Sequence, residues 1–238
     1  MSSRAESILC CVLETGPRNP INPGKTVEEF VLYRSDLISV SPKVMLSVME
    51  RGREACAVAI SIPSLEVVST TLPCSSLEEA LKTLKSAVER RNYVPVSRAD
   101  SPAERSCLAE AEKRGWKVAG EIHDFCAGND IQFSQRLDLL GLTMFQRKVL
   151  LATKSIPRGK TASYSWVAEK AGFPRACRAV GNVMARNPFP PIVPCHRVVR
   201  SSRELGNFGN GTPLKKKLLL MEGVEFDGNL VSAVCLLK

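Results

Sequence analysis

Ser163-Tyr164-Ser165-Trp166-Val167-Ala168-Glu169-Lys170-Ala171-Gly172-Phe173-Pro174 is the stretch on which the fold of the C-terminal part turns. Ser163 can cap a helix that carries Tyr164, Val167, Ala168 and Ala171 at helical spacing. Gly172-Phe173-Pro174 stops that helix. A second helix is expected from about Arg175 to Arg186, stopped by Asn187-Pro188. Two short helices joined by a three-residue turn containing glycine form a helix-turn-helix pattern. An ordinary αα-hairpin gives the same pattern, so the turn alone does not specify DNA. The second helix adds Arg175, Arg178 and Arg186 around a slim middle of Ala176, Ala179, Gly181 and Ala185. A slim helix with arginines near its start can approach a DNA backbone closely.

Outward from this pair the helix signals continue. Thr143-Met144-Phe145 opens a helix to about Thr153, with Phe145, Val149 and Leu150 apolar, and Pro157-Arg158-Gly159 follows it. Thr212-Pro213 is read as capping a helix through Lys215-Lys216-Lys217-Leu218-Leu219-Leu220-Met221-Glu222, ended by Gly223. Between them lies Pro194-Cys195-His196-Arg197-Val198, which sets a cysteine beside one of only two histidines in 238 residues. Pro190-Pro191 and Pro194 make the approach to Cys195 stiff and non-helical. A thiol is a strong nucleophile only as thiolate, so a held cysteine next to an imidazole is a candidate reactive centre. The same pair could also be a buried small hydrophobe beside a satisfied histidine.

Residues 1–140 read as a mixed α/β domain and residues 141–238 as a second, mainly helical one, with Gly141 at the boundary. Phe30–Tyr33, Leu37–Val40 and Ala55–Ile60 look like strands, and Ile131–Leu139 a plausible last strand. Ser75 or Ser76 can cap a helix from Leu77 to about Asn92, and another is expected from about Pro102 to Arg114, ending at Gly115. The net charge of +9 is unevenly placed. Residues 141–238 hold 16 Lys and Arg against 5 Asp and Glu, and the remainder of the chain is slightly acidic. That asymmetry suggests a polyanionic partner for the C-terminal domain. The nine cysteines show no CxxC pair, and Cys10, Cys11 and His123 do not suffice for a metal site. Without a secretory leader or a long apolar run, the reading is an intracellular protein, cytoplasmic or nuclear, with no membrane partner.

Phe145-Gln146, Pro157-x-Gly159, Ser163-Tyr164, Arg178-Ala179-Val180-Gly181, Asn187-Pro188, Pro194-Cys195-His196-Arg197-Val198-Val199, Gly206-Asn207 and Leu219-x-x-Glu222-Gly223 occur in order. Over roughly residues 137–226 they resemble the methylated-DNA–protein-cysteine methyltransferases, the O6-alkylguanine-DNA alkyltransferases. The resemblance implies a winged-helix-like helix-turn-helix domain. It implies a monomer that binds double-stranded DNA through the minor groove, flips out an O6-alkylguanine and takes the alkyl group onto Cys195, once per chain. No cofactor or metal is called for. His196 is then the base, acting through a bridging water, and Glu222 the carboxylate that orients it. Arg178 fills the gap left in the stack, Tyr164 donates to the flipped guanine, and Asn187 buttresses the active-site turn. The carbonyls of Cys195 and Val198 accept from the guanine amino group.

Two positions depart from the family's pattern, Gly-Asn-Tyr followed by a small residue. Phe208 keeps an aromatic wall for the alkyl group but lacks a hydroxyl, and Gly209 offers only its backbone N–H to the O6 oxygen. Three other readings stay open at this point. They are a lesion-binding relative that does not transfer, a sequence-reading regulatory helix-turn-helix protein, and a cysteine hydrolase that turns over.

Overall fold

The computed structural model describes residues 30–34, 43–52, 54–62, 64–91, 93–96 and 102–237. The chain divides into two compact units. One takes the described residues up to Asp124 together with Phe133–Gly141, and the other takes Phe125–Gln132 and the chain from Leu142 onward.

The first unit is strands plus helices. Five strands, β1 (Phe30–Arg34), β2 (Lys43–Arg51), β3 (Glu54–Ile62), β4 (Val67–Thr70) and β5 (Tyr93–Val96), form one antiparallel sheet in the order β4-β3-β2-β1-β5. β2 and β3 alternate, so each sends one set of side chains to each face. Val44, Leu46 and Val48 of β2 and Ala55, Ala57 and Ala59 of β3 pack against Ala80, Leu81, Leu84 and Val88 of α1 (Leu77–Glu89). Ser76 caps that helix by accepting from the Glu79 amide. The opposite face meets α2 (Pro102–Cys126). The Cys56 thiol contacts the Ala119 carbonyl at 3.6 Å, and His123, buried, hydrogen-bonds through Nε2 with the Met49 carbonyl. Its nitrogen serves the protein backbone; among the described residues no group of His, Cys, Asp and Glu could hold a metal.

Two sequence expectations for this unit are corrected. The helix beginning at Pro102 does not stop at Gly115 but runs to Cys126. Gly115 is required for packing, not termination: a Cβ there would lie 2.2 Å from Ser47 Oγ and 2.7 Å from Ser47 Cβ. Ile131–Leu139 is not a strand. It is tied by a single bridge between Leu137 and Val67 and by Arg91, whose guanidinium donates to the carbonyls of Asp138 (2.6 Å) and Leu140 (2.7 Å). The Tyr93 hydroxyl also donates to the Asp138 carboxylate. β2, the longest strand with β3, shows no alternation of apolar and polar residues in Val44-Met45-Leu46-Ser47-Val48-Met49 and so carries no strand pattern in sequence. Both its faces are covered. Leu37–Val40, Cys10 and Cys11 lie outside the described residues.

Among its described residues the second unit has the α-helices α3 (Met144–Lys154), α4 (Tyr164–Lys170), α5 (Cys177–Ala185) and α6 (Thr212–Met221). Val149 and Leu150 of α3, Val167 and Ala168 of α4, and Val180, Val183 and Met184 of α5 are buried. Thr143 and Gln146 close a reciprocal capping box on α3. A two-residue parallel pair, β6 (Ala162–Ser163) with β7 (Val198–Val199), sets the start of α4 beside the chain that leaves Cys195. β8 (Phe226–Asp227) pairs with β9 (Leu230–Val231). α5 starts two residues later than expected: Arg175 has φ +75°, outside the helical region, and Ala176 occupies the cap position without a side-chain bond. On α6 the cap position is Gly211, φ +88°, with Thr212 and Pro213 already helical. A β-branched residue could not adopt that cap conformation at low cost.

Candidate active site

Cys195, His196 and Arg197 form a single 3-10 turn. Neighbouring residues in such a turn point in different directions, so His196 does not simply face its neighbour's thiol. Its Nε2 instead lies 2.9 Å from Glu222 Oε1, with both side chains buried. The Phe125 ring lies 5.8 Å from the imidazole, tilted by 53°. Glu222 caps the C-terminal end of α6, where a carboxylate opposes the helix dipole. Arg197 compensates. Its Nε donates to Glu222 Oε2 at 2.8 Å and its Nη2 to Oε1 at 2.7 Å, while Nη1 donates to the Ile156 carbonyl.

These contacts set the protonation states. Burial works against an ionised Glu222, but the hydrogen bonds from His196 and Arg197 outweigh it and hold the carboxyl at about 2. An ionised carboxylate only accepts, so His196 carries its hydrogen on Nε2, leaving Nδ1 with the lone pair. Burial lowers the His196 pKa, more than the Glu222 bond raises it, so at neutral pH the imidazole is a neutral base. Burial pushes the Cys195 thiol up, with the Asn187 side chain and the Lys215 charge pulling the other way. At rest the site therefore holds a thiol, a neutral imidazole and a carboxylate locked by a guanidinium. The arrangement can move a proton off sulfur and stabilise the imidazolium that results.

Of the remaining residues chosen from sequence, Asn187 and Tyr164 interact with Cys195. Asn187 holds the turn before Cys195: its Nδ2 donates to the Val193 carbonyl at 2.8 Å and its Oδ1 accepts from the Phe189 amide at 3.0 Å. Tyr164, half-buried as the first residue of α4, is coupled electrostatically to Cys195, and its pKa is raised by burial first and by that coupling second. A Cβ on Gly206, φ +68°, would lie 3.4 Å from the Tyr164 hydroxyl, so glycine there keeps the tyrosine's place open. Val198 is buried in β7. Gly209 has no heavy atom within 4 Å of where its Cβ would be. Arg178 stands exposed on α5 with no ion-pair or hydrogen-bond partner among the described residues.

Two residues that sequence reasoning passed over are now prominent. Arg197 carried no signal beyond its place in the motif. Lys215 is fully buried; its Nζ donates to the carbonyls of Val198 and Leu205, each at 2.6 Å, and lies 5.9 Å from the centroid of the Phe208 ring. A signal for it existed. Within Lys215-Lys216-Lys217, only Lys215 is spaced i, i+3 and i+4 from Leu218 and Leu219, both buried.

The second unit thus joins its helices to a buried His196–Glu222 pair next in sequence to a buried cysteine. Residues 144–224 match the 6-O-methylguanine DNA methyltransferase, DNA binding domain. The methylated-DNA–protein-cysteine methyltransferase of Methanothermobacter thermautotrophicus is 44% identical over 113 residues, 47% of this chain and 63% of that protein. The protein of the same name from Mycobacterium leprae is 41% identical over 121 residues, 48% of this chain and 72% of that protein. The crystal structure of Mycobacterium tuberculosis O6-methylguanine methyltransferase superposes with a TM-score of 0.51 at 27% identity, covering 81% of this chain and 92% of that one. The chain belongs to the methylated-DNA–protein-cysteine methyltransferase family, and spans somewhat under two thirds of the archaeal relative and somewhat over two thirds of the mycobacterial one.

Proposed function

We propose that this protein repairs O6-alkylguanine in double-stranded DNA by transferring the alkyl group to its own Cys195. The observation that carries this reading is the buried His196–Glu222 contact, which supplies an oriented neutral base next in sequence to Cys195 in a proline-stiffened turn. The thiol proton passes to His196 through a bridging water. Sulfur then forms its bond to the alkyl carbon as that carbon's bond to O6 breaks. The electron pair goes to the guanine, which takes up one proton and leaves as an ordinary base. The thioether is not hydrolysed, so each chain acts once, and the step calls on no metal or organic cofactor.

A base inside a duplex must leave the stack to reach a buried thiol. α4 and α5 are assigned as a winged-helix-like helix-turn-helix lying in the minor groove, with Arg178 filling the gap left by the flipped base. Its exposure and lack of partners support that role, as does a planar guanidinium's ability to stack while keeping its charge near phosphates. Tyr164 donates to the flipped guanine. The carbonyls of Cys195 and Val198 accept from its amino group, which adenine lacks. Phe208 walls the alkyl group and the Gly209 N–H faces O6. The excess of 16 basic over 5 acidic residues in 141–238 suits a phosphate backbone. Residues 1–140 serve as a structural domain beside the DNA-binding and transfer domain of 141–238. The protein acts as an intracellular monomer; among the described residues no helix is long and apolar enough to cross a membrane.

The test is the intact mass of the chain after incubation with duplex DNA carrying one O6-methylguanine, followed by peptide mapping. One methyl per chain, on Cys195, is expected. Bound DNA with no added mass would leave a lesion-binding protein that does not transfer.

A further inference from the structure

Lys215 is the one buried lysine described in the core of the second unit, and the transfer step as written does not use it. A buried ammonium is costly unless its hydrogens are taken. Here two of its three hydrogens go to backbone carbonyls 2.6 Å away, Val198 and Leu205, and the cation faces the Phe208 ring. Among the described residues it has no carboxylate partner. Those three contacts lie on two separate pieces of chain. Val198 is the strand residue that follows the Cys195 turn, and Leu205 to Phe208 is the loop opposite.

We propose that Lys215 is a positioning residue for base recognition, whose ammonium clamps the Val198 strand to the 205–208 loop and thereby fixes the two walls between which the alkylated guanine must fit. The proposal rests on the repair reading above. A carbonyl oxygen has two lone pairs, so Val198 can accept from Lys215 and still accept from a guanine amino group. Donation from a cation also holds that oxygen in a fixed direction. The clamp has particular value in this chain. At 208 a phenylalanine stands where a tyrosine hydroxyl could have hydrogen-bonded, and a face-on cation holds a bare ring in its place. Next to it Gly209 has open space around it, so the loop depends on neighbours for its position.

The charge has a second, separable effect: it lowers the proton affinity of the Cys195 thiol, which also interacts with the Asn187 side chain, the His196 backbone and Tyr164. The test must therefore divide positioning from charge. Two rates are measured on the full chain across a pH range: alkylation of Cys195 by iodoacetamide, quantified on its own peptide, and transfer from O6-methylguanine in duplex DNA. The small probe needs a thiolate but no base recognition. For Lys215→Met the probe rate shifts to higher pH and recovers there, while transfer stays depressed by about tenfold or more at every pH, the size expected for losing hydrogen bonds from a charged donor. If both rates recover together at high pH, Lys215 acts through charge alone and the clamp is refuted; if neither changes, it has no role. Should Lys215→Met fail to fold, Lys215→Arg decides. It keeps the cation, so the probe's pH midpoint stays near that of the unaltered chain, while the bulkier fork cannot sit between the same two carbonyls and transfer falls. Transfer at the unaltered rate in Lys215→Arg would overturn the proposal. Failure of the unaltered chain to take up methyl from the lesion would count against the repair reading instead.

Discussion

Glu222→Gln tests the relay most directly, because it preserves shape and removes one charge. In the native site the carboxylate accepts three hydrogen bonds, from His196 Nε2 and from Arg197 Nε and Nη2. An amide offers one acceptor oxygen and one NH2, so at least one N–H must confront another. Arg197 would also be left, 14% exposed, without its counter-charge. Removing one partner of a buried pair costs roughly 3–5 kcal/mol. The depressed carboxyl gives a separate measure: a fall from 4.5 to about 2 corresponds to about 3 kcal/mol of preference for the ionised form in the folded state. For a chain of this size that is a drop of roughly 6–12 °C in the melting midpoint at neutral pH. The sign with pH follows. A depressed folded pKa stabilises the protein above the ordinary carboxylate range and the contribution is lost as pH falls from 4.5 towards 2, so the gap between the native chain and Glu222→Gln should close on acidification. Thermal melts at neutral and acid pH check this, and transfer to Cys195 measured by mass should slow by roughly a hundredfold or more, as for an unoriented base. A variant that melts within a degree of the native chain and is modified at the same rate would refute both the lock by Arg197 and the orienting of His196.

Cys195→Ala should still bind duplex DNA, as judged by a mobility shift, and gain no methyl; any methyl elsewhere on the chain would unseat the nucleophile. Arg178→Ala should keep thiol reactivity towards iodoacetamide and lose at least about tenfold in transfer from duplex lesions, with a smaller loss from the free alkylated base; equal losses on both substrates would remove the base-flipping role. Affinity for DNA should fall steeply between low and moderate salt, since phosphate contacts release counterions, and a flat titration of binding against salt would contradict a backbone-dominated interface. Gly115→Ala should destabilise the first unit by about 1–3 kcal/mol in a denaturant titration, because its Cβ would overlap Ser47; an unchanged midpoint would show that the helix can shift away at no cost.

The pairing of His196 with Glu222 was legible through the family's motif, and in the first unit β1, β3 and α1 were legible while β2 and the end of α2 were not. Cys195 and His196 stood out as a neighbouring thiol and imidazole, whereas Glu222, 26 residues beyond His196, was reached only through the family resemblance. The caps at Ser76, Thr143 and Ser163 were legible because capping is a local contest for orphan amides. Gly115 misled because the same residue type serves as a helix stop and as a site of close approach, and only the strand across from it, carrying Ser47, tells the two apart. β2 was missed because a strand covered on both faces shows no alternation. Arg197 and Lys215 both turn inward, which no feature of the sequence reading signalled for Arg197 and only helical spacing could have signalled for Lys215. Arg197 goes to a carboxylate, Lys215 to carbonyls.

The two inward-facing cations divide the work by the partner each has. Arg197 is fully matched by Glu222, and with the imidazole neutral that pair carries no net charge. Lys215 is matched only by dipoles, and burial has drawn its pKa down to about 8, the mark of a cation short of an anion. The group near it that can become an anion is the Cys195 thiol, whose influence on Lys215 runs in the opposite sense to burial. Each group thus offsets part of the burial penalty of the other's charged form. In the proposed mechanism the thiol becomes a thiolate when His196 takes its proton, and the charge then arises beside a cation already held by two carbonyls. Neither Lys215 nor the Glu222–Arg197 pair needs to reorganise for that step, which is the condition under which fixed charges in a low-dielectric site lower a barrier most.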